Sequence, residues 1–245
     1  IHAVIAQRLV KTADEIAEIE AAVGIAREMH TLAMRLAQPG TTEAEVAGRM
    51  EGLALERGSY PSFPIILTRR GEVLHNHATR APLQAGDLML ADAGAVAPAS
   101  GYAADITRTS PVGGRFSERQ RMVYETVLSA QEVAIAACRP GVAFADVHRL
   151  AALRLTEGLV EMGLLRGAPD EIVAAGAHAL FFPHGLGHAM GLDVHDMEAL
   201  GEDRVGYGDE ATRSTQFGTA YLRFGRPLRE GYVMTVEPGL YFVDA

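Results

Sequence analysis

Apolar residues recur at helical spacing from Ile16 through Ile19, Val23, Ala26 and Ala33 to Leu36, behind the capping box Thr12-Ala13-Asp14-Glu15. This predicts a long amphipathic helix that stops before Pro39-Gly40. Thr42 with Glu45 opens a second helix, with Val46, Met50 and Leu53 facing inward. From Tyr60 the texture changes. Pro61, Pro64 and the β-branched pair Ile65-Ile66 predict strand and loop running to Val73-Leu74-His75-Asn76-His77. Leu88-Met89-Leu90-Ala91 reads as a buried strand that delivers Asp92 at its end, and Tyr102 to Thr109 as a returning strand carrying Asp105. Ser117 and Gln120 cap a third helix with Val123, Val127, Ala130 and Ala134 on one face, ending before Pro140-Gly141. A fourth helix covers roughly Ala145 to Leu159. A histidine-rich loop, a polar Gly-rich segment from Gly201 to Gly218 and an apolar run from Val233 into Glu237-Pro238-Gly239 complete the chain.

The order helix, Pro-Gly, helix, strands occurs twice. Ala37-Gln38-Pro39-Gly40 with Ala44 and Val46 matches Cys138-Arg139-Pro140-Gly141 with Ala145 and Val147, and Pro82 to Gly94 matches Pro227 to Gly239 without a gap. Either match alone could be a coincidence of turn residues. Two in the same order read as diverged copies of one αβ unit. Asp92 and Glu237 then occupy equivalent positions, each a carboxylate closing an apolar strand.

At 245 residues and 48% hydrophobic content the chain can build a sizeable core as one large domain or two small ones. A net charge of -9 argues against a nucleic-acid partner. No apolar run is long enough to span a bilayer. Ile1-His2-Ala3-Val4 is not a signal peptide as given. The single cysteine, Cys138, excludes an internal disulfide and fits a reducing compartment, hence the cytoplasm. Its Ala-rich apolar surroundings predict a buried structural thiol.

The chemistry concentrates in Phe182 to Asp196, where His184, His188 and His195 stand among glycines at spacings of four and seven. Imidazole is the commonest metal ligand, and glycine lets backbone and ligand approach closely. No glutamate lies between His184 and His188, so this is not a helical HExxH zinc motif, and further ligands must come from elsewhere. Asp92, Asp105 and Glu237 supply carboxylates. Each alone could equally close a turn or cap a loop. Together with His188 they form an oxygen-rich set that favours Mn²⁺-type hard metals, and carboxylates that bridge two ions can activate water for hydrolysis.

Four blocks in order carry a family resemblance: Asp92-Ala93-Gly94; Gly101-Tyr102-Ala103-Ala104-Asp105-Ile106-Thr107-Arg108-Thr109; His184 to Asp196; and Glu237-Pro238-Gly239. The chain resembles the proline-specific "pita-bread" metallopeptidases, the aminopeptidase P and prolidase group, related to methionine aminopeptidase. The resemblance implies an α+β fold of two pseudo-symmetric αβ halves with a curved, mainly antiparallel sheet. It implies two divalent metal ions, Mn first with Zn or Co as alternatives, and places Asp92, Asp105, His188 and Glu237 in four of five ligand roles. It makes His75, His184 and His195 substrate-facing or catalytic groups. His77 has no family counterpart and is expected to face solvent. His2, His30, His148 and His178 lie outside the blocks and are expected to be ordinary surface or boundary residues. Having His184 beside His188 and His195 looks like the Xaa-Pro subgroup rather than methionine aminopeptidases.

The function implied is hydrolysis of an Xaa-Pro bond at a peptide N-terminus. A prolidase acting on Xaa-Pro dipeptides and a non-catalytic peptide-binding module on the same fold are the alternatives. Proline-containing peptides are the implied partners, with no nucleic acid and no membrane, and homo-oligomerisation stays open. Two departures stand out. The gap from Asp92 to Asp105 is longer than the family's usual one, and Pro98-Ala99 is expected to lengthen the hairpin tip without moving the strands. Residues 1–245 also read as the pita-bread catalytic domain without its last strands or a preceding N-terminal domain. Leu240 to Ala245 is expected to be a strand cut short, with the fifth, bridging glutamate beyond it.

Overall fold

The computed structural model describes residues 1–243. It contains helices α1 (His2–Leu9), α2 (Ala13–Leu36), α3 (Glu43–Glu56), α4 (Glu118–Ala137), α5 (Phe144–Glu161), α6 (Pro169–Ala174) and α7 (Glu202–Gly206), and strands β1 (Ile66–Thr68), β2 (Leu88–Ala93) and β3 (Ile106–Pro111). The chain forms two compact units. The first-half unit is Lys11–Ser117 with Met190–Val194; the second-half unit is Ile1–Val10, Glu118–Ala189 and His195–Phe242.

In the first-half unit, α2 and α3 both begin with complete capping boxes. Thr12 and Glu15, and Thr42 and Glu45, exchange side-chain and backbone hydrogen bonds reciprocally, which satisfies amide donors the helix cannot. The inward stripe of α2 is Ile19, Ala22, Ala26, Met29, His30 and Ala33; Val23, expected inside, is exposed. The core closes on Met29, Met50, Leu67 and Met89, all fully buried, each contributing roughly 1.5–3 kcal/mol over an exposed side chain. The sheet is antiparallel in the order β1-β2-β3. One register runs from Leu88↔Pro111 to Ala93↔Ile106 and on to the isolated bridge Val96↔Ala103. The longer tip at residues 97–101, closed by Ala97 N to Tyr102 O at 2.8 Å, therefore leaves the strands in step, as expected. The returning strand begins at Ile106, so Asp105 sits at its mouth rather than within it.

The second-half unit packs α4 against α5. Ile5 and Leu9 of α1 join Phe144, Val147, Leu186 and Phe224 in its core. Cys138, expected to be buried, is half-buried at the end of α4; desolvation still pushes its thiol above the usual value, which leaves it a poor nucleophile. The apolar run from Val233 forms no named strand. It pairs antiparallel with the histidine loop through Thr235 N to His188 O (2.9 Å), Glu237 N to Leu186 O (2.8 Å) and the bridge Ala189↔Met234. Leu240 to Val243 carry no strand, and Tyr241 N donates to Phe181 O at 2.9 Å; Asp244 and Ala245 lie outside the described residues.

The sequence echo is an echo in structure. Gly40 N donates to Leu83 O (2.9 Å) and Leu83 N to Thr41 O (2.8 Å); in the other unit Gly141 N donates to Leu228 O (2.8 Å) and Leu228 N to Val142 O (2.8 Å). The next turns match too. Asp87 N bonds Gln84 O and Tyr232 N bonds Arg229 O, both at 3.1 Å, with Gly86 and Gly231 at φ 92° and 85°. A glycine is required at that third turn position because a side chain disfavours positive φ.

Candidate metal centre and its histidines

In the first-half unit, β2 brings Asp92 opposite Ile66 on one side and Thr107 on the other. The same register sets Asp105 opposite Gly94, so both carboxylates project from one face of the β2–β3 pair, on diagonal positions. The close approach needs Gly94: a Cβ there would lie 1.7 Å from Ala104 O and 2.3 Å from Ser62 Oγ. Beneath the strand, His30 corrects the expectation of a surface or boundary residue. It is buried, with Nε2 3.0 Å from Ala93 O, and desolvation lowers its pKa despite that hydrogen bond, so it stays neutral. The signal was present, since His30 falls between Ala26 and Ala33 on the inward stripe of α2. His75 is exposed and holds φ 58°, uncommon for a residue with a side chain. Asn76 pins this segment through Nδ2 to Thr68 Oγ1 at 3.0 Å. His77 is exposed, as expected.

In the second-half unit, His188 is buried and held on three sides. Its backbone N–H donates to Thr235 Oγ1 at 3.0 Å, its Nδ1–H donates to Ala189 O at 3.1 Å, and Nε2 lies 3.4 Å from Glu237 Oε1. The Thr235 hydroxyl donates to the same Glu237 oxygen at 2.7 Å. Gly187 permits the pairing, because a Cβ there would stand 2.1 Å from Thr235 O. With Nδ1 committed to a carbonyl, the neutral ring turns its Nε2 lone pair toward a carboxylate that also only accepts. A cation reconciles two such acceptors, and a histidine whose second nitrogen is tied to a backbone carbonyl is the usual metal-ligating arrangement. The donor set therefore fits a divalent ion. Sequence reasoning missed Thr235, although it is the one hydroxyl in the run Val233 to Val236.

His195 lies beside His188, ring centroids 4.1 Å apart. Its neighbour Asp196 is anchored, with N bonded to Ala189 O at 2.9 Å and Oδ1 accepting from Arg8 Nη2 at 2.6 Å. His195 Nδ1 lies 3.4 Å from Glu198 Oε2, and Arg223 Nη1 donates to that same oxygen at 2.6 Å. Burial would raise the Glu198 carboxyl, but His195 and Arg223 outweigh it and hold it below the usual carboxylate range. Neither Glu198 nor Arg223 stood out in sequence, because each is an isolated charge flanking the polar Gly201 to Gly218 segment and reads as solvated.

His184 donates Nδ1–H to Gly185 O (2.8 Å), and its Nε2 lies 2.9 Å from the Tyr241 hydroxyl. Phe182 is placed between His184 and His148, at centroid distances of 4.9 and 5.4 Å. His148 and His178, expected at the surface or a boundary, are both 2% exposed. Among the described residues neither ring nitrogen of His148 has a hydrogen-bond partner, and desolvation, with His178 and His184 nearby, lowers its pKa to about 3. Only His2 of the four dismissed histidines is exposed.

Residues 17–245 match the family described as metallopeptidase family M24, and the chain belongs to that family. It is 38% identical over 237 residues to an Xaa-Pro aminopeptidase of Escherichia coli, covering 96% of this chain and 49% of that protein, and 36% identical over 245 residues to an Xaa-Pro dipeptidase of Homo sapiens, covering 97% and 48%. Among solved structures, a variant of Escherichia coli aminopeptidase P in complex with substrate superposes with a TM-score of 0.85 at 37% identity, covering 98% of this chain and 50% of that one. Proline aminopeptidase P II from Yersinia pestis gives 0.84 at 38%, covering 98% and 51%. The fold is the pita-bread fold. The chain spans about half the length of these relatives.

Proposed function

We propose that the protein hydrolyses the Xaa-Pro bond at the free N-terminus of peptides, with two divalent metal ions held by Asp92, Asp105, His188 and Glu237. The observation that carries this reading is the His188–Glu237 pair at 3.4 Å, with His188 Nδ1 and Glu237 Oε1 fixed by Ala189 O and Thr235. The oxygen-rich donor set favours Mn, with Zn or Co as alternatives. The ions, when bound, supply Lewis acidity and lower the pKa of water. The chain's own residues do the rest. His75, His184 and His195 face the substrate; a ring N–H of His195 or His75 donates to the carbonyl oxygen as charge develops there. A glutamate takes the proton released by the attacking water and passes it to the leaving proline nitrogen.

Membership of a metallopeptidase family and relatives named for Xaa-Pro hydrolysis support the substrate class. No helix among the described residues is long and apolar enough to cross a membrane, and we place the protein in the cytoplasm on the strength of its single cysteine. Its acidic net charge disfavours nucleic acid, and self-association is an open partner. The test is incubation with Xaa-Pro-Yaa and Xaa-Pro peptides, with and without chelator. Release of the first residue from Xaa-Pro-Yaa, lost on chelation and restored by Mn, is the expected result. Cleavage of dipeptides alone would make it a prolidase. Cleavage of Met-Ala peptides alone would move it out of the Xaa-Pro subgroup, and peptide binding without hydrolysis or metal uptake would make it a binding module.

A further inference from the structure

We propose that Glu198, clamped by Arg223, is a positioning residue for His195, fixing which ring nitrogen meets the substrate. The inference rests on the peptidase reading for its functional consequence and on the second-half unit alone for its geometry. Glu198 follows the histidine loop, in the short 3₁₀ turn Glu198–Leu200. Its Oε2 stands 3.4 Å from His195 Nδ1 while accepting from Arg223 Nη1 at 2.6 Å. The same Arg223 nitrogen donates to Glu202 Oε2 at 3.0 Å, and Glu202 is in turn held by Arg213. Arg213 also donates to the Leu222 and Ala220 carbonyls at 2.8 and 3.0 Å, so the clamp is tied to the backbone beside Arg223. Glu198 thus has little freedom to turn away from the ring. On the other side, Asp196 is fixed by Arg8 and by the Ala189 carbonyl, which holds the backbone of His195.

A carboxylate only accepts hydrogen bonds. Whatever the protonation state of the imidazole, the nitrogen facing Glu198 is therefore the one that carries a hydrogen. That nitrogen is Nδ1, and Nε2 is left to face substrate. Without Glu198 the ring is free to swap tautomers or flip. A group that holds a functional histidine in one tautomer and one orientation is worth about 10–100-fold when removed.

The test uses the intact protein labelled with ¹⁵N-histidine, metal-free and Zn-loaded, with the His195 signals assigned against His195→Gln. In the parent, His195 is expected as the Nδ1–H tautomer. Glu198→Ala is expected to lose that preference and to lower kcat on an Xaa-Pro-Yaa peptide by about 10–100-fold with KM little changed. Glu198→Gln, whose amide oxygen accepts the same hydrogen bond, is expected to restore the tautomer and most of kcat. An unchanged tautomer and unchanged kcat in Glu198→Ala would overturn the proposal, as would a Gln variant no better than Ala. Should Glu198→Ala fail to fold, Arg223→Gln leaves the carboxylate in place but unclamped; the same loss is expected at smaller size, and no change in tautomer or kcat overturns the proposal there too. If the parent cleaves no Xaa-Pro peptide, the peptidase reading falls, and the tautomer spectra still decide whether Glu198 orients the ring.

Discussion

The pairing of Gly40 and Thr41 with Leu83 and the pairing of Gly141 and Val142 with Leu228 use the same backbone hydrogen bonds, yet the segments that follow are used differently. β2 has a partner on each side and carries Asp92, its penultimate residue, opposite Ile66. Its counterpart pairs with the histidine loop and ends with Glu237 opposite Leu186. Two residues before the carboxylate stands Leu90 in one half and Thr235 in the other. Across the ladder, Thr68 faces Leu90, whereas His188 faces Thr235. Thr68 is bound to its own unit: its hydroxyl serves Glu43, Arg70 N and Asn76. One copy thus keeps a structural hydroxyl at the position where the other carries an imidazole with a threonine to orient it. A repeated backbone can supply two carboxylates at matched positions while only one copy sets an imidazole and a hydroxyl beside its own.

The largest effect should come from the matched carboxylates. Asp92→Ala and Glu237→Ala should each lower hydrolysis by more than about 100-fold, beyond the range seen for orienting residues, and each should lower bound metal measured by elemental analysis. If one is silent, the equivalence of the two positions fails as chemistry. Next, Thr235→Val should cost about 10–100-fold in activity or metal affinity, because Glu237 and the His188 backbone both lose the hydroxyl. Equal activity in that variant would mean that backbone pairing alone orients His188 and Glu237.

A third prediction uses pH. By the offset that aligns Pro39-Gly40 with Pro140-Gly141, His148 on α5 corresponds to Ala47 on α3. The His148 imidazole stays neutral in the fold down to about pH 3, while in the unfolded chain it takes up a proton below its ordinary value of 6.5. The unfolded state therefore binds more protons below 6.5, and stability falls as pH drops from there toward 3. Between pH 7 and 5 the loss due to His148 is about 2 kcal/mol. His148→Leu should unfold with that much less acid sensitivity in thermal melts, whereas equal sensitivity would mean that the site relaxes to admit the charge. The smallest effect concerns helix starts. Thr42 caps α3 with its side chain, but its counterpart Ala143 precedes α5 without a side-chain cap. Thr42→Ala should destabilise by about 1 kcal/mol and Ala143→Thr should stabilise by a similar amount. Opposite signs in denaturant midpoints are the expected readout.

The parts of this molecule that were legible in sequence are those fixed by neighbours along the chain. The capping boxes of α2 and α3, the Pro-Gly stops and the two echoed turns each need only a few consecutive residues. What stayed hidden depends on partners far away. α1 has no side-chain cap and no acid in its first turn, and it is fixed by packing on a core drawn from residues 134 to 228. His30, His148 and His178 look polar in a list of residues but are buried as neutral rings. The Glu198–Arg223 clamp spans twenty-five positions, and no local pattern marks it. Among the candidate site residues, His188 and Glu237 were readable as types, while Thr235, which bonds to both, was not.

The tip between β2 and β3 also makes a practical handle. Pro98, Ala99 and Ser100 are exposed, and the ladder below them keeps one register to Val96↔Ala103, so length at the tip is decoupled from the placement of Asp92 and Asp105. The only native thiol, Cys138, is half-buried and raised in pKa. An Ala99→Cys change would therefore offer a fluorophore or spin label a single exposed attachment point, a reporter tethered by two strands to the carboxylates it watches.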